Sequence, residues 1–148
     1  MTDRIKNAKS CFSEGFSCSQ AVLSAYCDLF NLDRNTALKI SQPFGGGIAH
    51  QGETCGAVSG AFLVIGLRFG RIQAEDLEAR EKTYEKILNF IDLFTAKNGS
   101  TVCRDLLGHD ISTPEGFQNA KDAGLIETLC PKLIQSSVEI LENILEIQ

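Results

Sequence analysis

Apolar residues recur along this chain at intervals of three and four, and no stretch sustains the period-two alternation of a half-buried strand. The pattern predicts helix after helix. Positions 1–14 carry a first helix that ends near Gly15. Ser17 opens a second, and Ser17 with Gln20 has the spacing of a capping box, in which each side chain satisfies a backbone N–H of the other. Ala21, Val22, Ala25 and Leu29 continue one face of it. Asp33 caps a short helix through Ile40, which Pro43 stops. Positions 43–52, with Phe44-Gly45-Gly46-Gly47, read as a loop. Thr54 is expected to cap a helix through about Phe69.

The longest helix is expected over 74–97, with Leu77, Tyr84, Leu88, Ile91 and Thr95 on one stripe, Ile87 and Phe94 beside it, and Asn98-Gly99 as its C-cap. Short helices follow near 101–107 and 114–123. Pro131 opens the last, where Leu133, Ile134, Val138, Leu141, Ile144 and Leu145 give a wide apolar face. No linker, repeat or low-complexity segment divides the chain. The expected fold is all-α: one domain over 1–148, a bundle of five or so main helices. The wide faces of the 74–97 helix and the last helix raise a homodimer as an expectation.

Composition narrows the function classes. The 148 residues are 43% hydrophobic and 22% charged, which is globular rather than disordered. A net charge of −5 argues against a non-specific nucleic-acid binder. The longest unbroken apolar run, Ala61 to Ile65, is far too short for a membrane span, and MTDRIKNAKS lacks the apolar stretch of a secretory signal. No membrane association and a cytoplasmic location are therefore expected.

Six cysteines then change the picture. A chain of this size does not need disulfides to compensate for a small core, and in a reducing compartment clustered cysteines point to metal or redox chemistry. Four of them, Cys18, Cys55, Cys103 and Cys130, fall at predicted helix N-termini, whereas Cys11 and Cys27 lie within predicted helices. A helix N-terminus presents unpaired N–H groups and a partial charge of roughly +0.5, which favours thiolate over thiol. The four are 37, 48 and 27 residues apart. There is no C-x-x-C, so neither a zinc-finger pairing nor a thioredoxin dithiol is present, and without C-x-x-C-H no covalent haem is expected. Any common site must be assembled by the fold.

Eight of the 13 glycines lie between Gly45 and Gly70. Gly52, Gly56 and Gly60 recur every fourth residue, so Gly56 and Gly60 share a helix face that a cofactor or another backbone can approach closely. The same spacing serves plain helix packing. The glycine loop has no following Lys-Ser/Thr and no preceding strand, so it is not a nucleotide loop. His50 and His109, the only histidines, lie five or six residues from Cys55 and Cys103. They read as surface residues or as supports of the cysteines, with metal ligation or proton transfer as the alternative. Glu53 and Asp105 work against thiolate formation unless solvated away.

The run Gly52-Glu53-Thr54-Cys55-Gly56-Ala57-Val58-Ser59-Gly60-Ala61 resembles a family of redox-active proteins named for a C…CGAxxG…C…C pattern. The resemblance spans about 8–133 and assigns the family's four cysteines to Cys18, Cys55, Cys103 and Cys130. It implies a small redox protein. Some larger relatives, similar to split-Soret cytochromes, add a haem segment that this chain lacks, and they suggest an iron–sulfur site.

Three functions follow as expectations. In the first, the four cysteines bind zinc or an iron–sulfur cluster and carry electrons to or from a partner protein, or sense redox state. In the second, the chain exchanges thiols for disulfides without metal, with Cys55 as attacking thiolate. In the third, it is a helical interaction protein whose cysteines are structural.

Overall fold

A computed structural model describes residues 3–146; the first two expected helical positions lie outside that range. The chain is helical throughout: α1 (Asp3–Ser13), α2 (Cys18–Ser24), α3 (Arg34–Ser41), α4 (Gly56–Phe69), α5 (Leu77–Asn98), α6 (Cys103–Leu107), α7 (Pro114–Asp122), α8 (Leu125–Thr128) and α9 (Cys130–Ile144). Single 3₁₀ turns occupy Cys27–Phe30 and Gln42–Phe44. The described residues contain no strand, only an isolated antiparallel bridge between Thr54 and Val102. The all-α expectation holds. The count of five main helices does not, because the second half of the chain breaks into short pieces.

The caps explain several boundaries. Ser17 and Gln20 form the complete capping box, with the Ser17 N–H donating to Gln20 Oε1 at 2.9 Å. Gln20 also donates through Nε2 to the Leu38 carbonyl, fastening α2 to the end of α3. Asp33 caps α3 through the Thr36 N–H, Asp76 caps α5 through the Ala79 N–H, and Gly99 ends α5 at φ +93°. Thr54 is not a cap. Cys55 takes that position, because Thr54 is drawn into the bridge with Val102. The face expected to run on to Leu29 is cut at Ser24 and resumes as a 3₁₀ turn.

Two apolar clusters form the interior. The larger draws on α1, α2, α4, α5 and α9, with Tyr26, Phe90 and Phe94 its largest fully buried side chains. Phe62 meets Phe90 edge-on at 6.0 Å, and Phe90 stacks on Phe94 at 5.8 Å. Burying each such side chain contributes about 1.5–3 kcal/mol before entropy is counted. The smaller cluster gathers Cys103 and Leu107 from α6, Ile111 from the following loop, Ala120 from α7 and Cys130 from α9. The apolar face of α9 is consumed by these interiors: Leu133, Ile134, Val138, Leu141 and Ile144 are all buried. Of the two wide faces, only that of α5 stays open, with Leu77, Tyr84 and Leu88 53–61% exposed.

Candidate functional site

The four pattern cysteines each sit at the start of a helix. Cys18 is the first residue of α2, Cys103 of α6 and Cys130 of α9, and Cys55 is the N-cap of α4. The helices place all four on the wall of one cavity of about 130 Å³. The cavity lies at the seam of the interior, since Cys55 belongs to the larger cluster, Cys103 and Cys130 to the smaller, and Cys18 packs against both. Its remaining wall is almost wholly apolar and includes Phe12, Leu106, Ile111 and Phe117.

Backbone pairing joins two of the cysteine-bearing segments. Cys55 N–H donates to the Thr101 carbonyl at 2.8 Å, Cys103 N–H to the Glu53 carbonyl at 2.6 Å, and Arg104 N–H to the Gly52 carbonyl at 3.0 Å. These bonds lock the approach to α4 against the start of α6. Gly56 admits α2: a Cβ there would stand 3.0 Å from the Ser19 nitrogen and 3.1 Å from Cys18 Cβ. Gly56 also lines the cavity, whereas Gly60 does not. A Cβ at Gly60 would lie 2.9 Å from the Ser19 carbonyl oxygen, so that glycine serves α2–α4 packing and not the approach of a cofactor.

Burial outweighs the helix ends in setting the thiol acidities. Cys55 is pushed from its ordinary 9.0 up to about 12 by desolvation, against the lowering effect of the Ala57 and Val58 N–H groups. Cys103 rises to about 11, again through burial and the nearby Cys130, with Arg104 opposing. In the Cys18–Cys130 pair the hydrogen bond between them raises Cys18 and lowers Cys130, so of the two Cys130 is the more acidic. Burial thus works against the thiolate expected at Cys55, and the N-cap position offsets it only in part.

His50 lines the cavity and packs edge-on against Phe117, with ring centroids 4.8 Å apart. Its place in the wall follows from backbone conformation that the residue types do not announce. His109 is not part of the wall. Glu53 is exposed and reaches Arg104 at 3.5 Å, and Asp105 is exposed and accepts from Ser100 Oγ, so neither carboxylate faces the thiols. Cys11 and Cys27 lie apart from the cavity, on either side of Ser24: Ser24 Oγ donates to Cys11 Sγ, and Cys27 Sγ donates to the Ser24 carbonyl.

Among the described residues, no group of three or more His, Cys, Asp or Glu side chains is placed to hold a metal ion. No helix among them is long and apolar enough to cross a membrane. Neither a curated protein nor a solved structure matches the chain significantly. One family model does, over residues 16–144, described as "Putative redox-active protein (C_GCAxxG_C_C)". That match covers most of the chain and all four cavity cysteines, and the chain belongs to this family.

Proposed function

We propose that this protein is a redox protein whose chamber cysteines, Cys18, Cys55, Cys103 and Cys130, hold an iron–sulfur cluster for electron transfer or redox sensing. The observation that carries the reading is that four thiols, far apart in sequence, line one cavity. Four sulfur donors suit zinc and an iron–sulfur cluster alike, and the size of the cavity decides for the cluster. A bridged cluster is a larger body, and the chamber is roughly ten times the 10–15 Å³ that one water requires. Sulfur-only ligands and a dry wall suit iron–sulfur chemistry, which supplies one-electron exchange when bound. The chain's own part is to exclude water through Phe12, Leu106, Ile111 and Phe117, and to fix the Cys55 and Cys103 segments by main-chain bonds. The positive ends of α4 and α9 would offset thiolate charge.

Anaerobic purification followed by a visible spectrum and iron analysis tests this. Iron with broad visible absorbance is expected, lost on substituting Ser for any one of the four and kept in Cys11→Ser and Cys27→Ser. An iron-free, colourless protein, or iron content indifferent to all four changes, would overturn it.

A second reading, metal-free thiol exchange, is favoured by the Cys18–Cys130 pair, which shares the cavity wall and whose coupling makes Cys130 the more acidic partner. Here Cys130 attacks a substrate disulfide and releases one thiol. Cys18 then displaces the second thiol and closes a Cys18–Cys130 disulfide; two electrons and two protons pass to the substrate. On this reading Cys130, not Cys55, is the nucleophile. Mass analysis of a trapped mixed disulfide in Cys18→Ser separates it from the first.

A further inference from the structure

The wall of the chamber between α3 and α4 is built from a conformation that proteins rarely tolerate. Five consecutive residues are left-handed: Gly46 (φ 65°), Gly47 (69°), Ile48 (67°), Ala49 (48°) and His50 (62°). Glycine adopts this region freely, but Ala, His and above all β-branched Ile do not, since each brings Cβ against the following carbonyl. The turn satisfies itself. Ala49 N–H donates to the Pro43 carbonyl at 2.9 Å, His50 N–H to Gly45 at 3.1 Å, Gly52 N–H to Gly46 at 3.1 Å and Glu53 N–H to Gly47 at 2.9 Å. Arg104 Nη2 ties its far end to α6 through the Gln51 carbonyl at 3.0 Å. Its inner face is the chamber wall at Gly46, Gly47 and His50, while Ile48 stands 42% exposed.

We infer that this left-handed turn is the gate of the cysteine chamber. It opens by unwinding at Ile48–His50, which relieves the strain of three non-glycine residues and swings the His50 ring off Phe117, widening the way in to Cys55, which is 3% exposed with the turn closed. Closure is held by the turn's own hydrogen bonds and by the His50–Phe117 contact. Gly47 permits closure, because a Cβ there would lie 2.6 Å from the Glu53 nitrogen and 2.8 Å from Cys103 Cβ. The inference rests on the chamber's geometry and not on what fills it, so it stands or falls apart from the iron analysis.

The test is the rate at which N-ethylmaleimide labels Cys55 in the reduced, chelator-treated full chain, resolved by peptide mass and compared with the global unfolding rate. Cys55 is expected to label faster than global unfolding allows. Ile48→Asn, which tolerates the left-handed region, is expected to slow labelling roughly 5- to 30-fold by removing the strain that favours opening. Ile48→Val, which keeps the β-branch, is expected to leave it unchanged. Labelling only at the unfolding rate would overturn the inference. So would an Ile48→Asn rate equal to wild type, which would move the entrance to another wall.

Discussion

Cys55 poses two physical effects against each other, and the alkaline stability of the chain decides between them. Its N-cap position and the Ala57 and Val58 N–H groups favour the thiolate, while complete burial favours the thiol and carries its pKa from 9.0 to about 12. A thiol whose pKa rises on folding stabilises fully below the unfolded value. That contribution is lost as pH climbs through 9 toward 12, because only the unfolded chain releases the proton there. One pKa unit is worth about 1.4 kcal/mol, so at about pH 10.5 the loss assigned to Cys55 is about 2 kcal/mol. Urea unfolding of the reduced, metal-free wild type and of Cys55→Ala, each at about pH 8 and about pH 10.5, isolates the effect, since other titrating groups are common to both. The wild type is expected to lose about 2 kcal/mol more than the variant, or about 1 M in urea midpoint at a slope of ~2 kcal/mol/M. Identical pH dependence in the two proteins would refute the dominance of burial. It would restore Cys55 as an ionisable nucleophile.

Three further outcomes are expected. Gly60→Ala forces a Cβ to 2.9 Å from the Ser19 carbonyl oxygen and should cost about 1–3 kcal/mol in urea unfolding, whereas Gly66→Ala, in the same helix with open space around it, should gain about 0.5–1 kcal/mol. Phe90→Ala, at the centre of the larger cluster, should cost about 3–5 kcal/mol by thermal or urea unfolding. Self-association through the exposed Leu77–Tyr84–Leu88 stripe is expected to strengthen with salt, because Glu81, Glu85 and Asp92 border that face. Sedimentation equilibrium at two salt concentrations checks this, with Leu88→Glu expected to abolish the dimer.

Much of the local structure was legible because its causes are local. Ser17–Gln20, Asp33 and Gly99 act within four residues of themselves, so their caps stand where periodicity and residue type place them. The helix-end position of Cys18 follows from the Ser17 cap and that of Cys130 from Pro131, whereas α6 starts at Cys103 with no side-chain cap. Features set by distant partners were not legible. Thr54 lost its capping role to Val102, 48 residues away, and α8 carries too short an apolar pattern to announce itself. The convergence of the cysteines depends on α2, α4, α6 and α9 docking together, which no spacing encodes. The acidity of Cys55 inverted for the same reason: the helix end is a property of the neighbouring residues, and burial is a property of the whole interior. The left-handed turn escaped because Ile48, Ala49 and His50 are residue types that ordinarily refuse it.

The seam on which the chamber lies ties chemistry to the completion of folding. One apolar cluster contributes Cys55, the other contributes Cys103 and Cys130, and Cys18 touches both. Neither cluster by itself carries all four cysteines. The chamber thus behaves as a two-key lock: its wall is complete only where the two clusters pack together, with α9 running through both. Main-chain bonds between 52–55 and 101–104 close that lock without relying on any side chain, so the spacing of Cys55 and Cys103 is set by backbone alone.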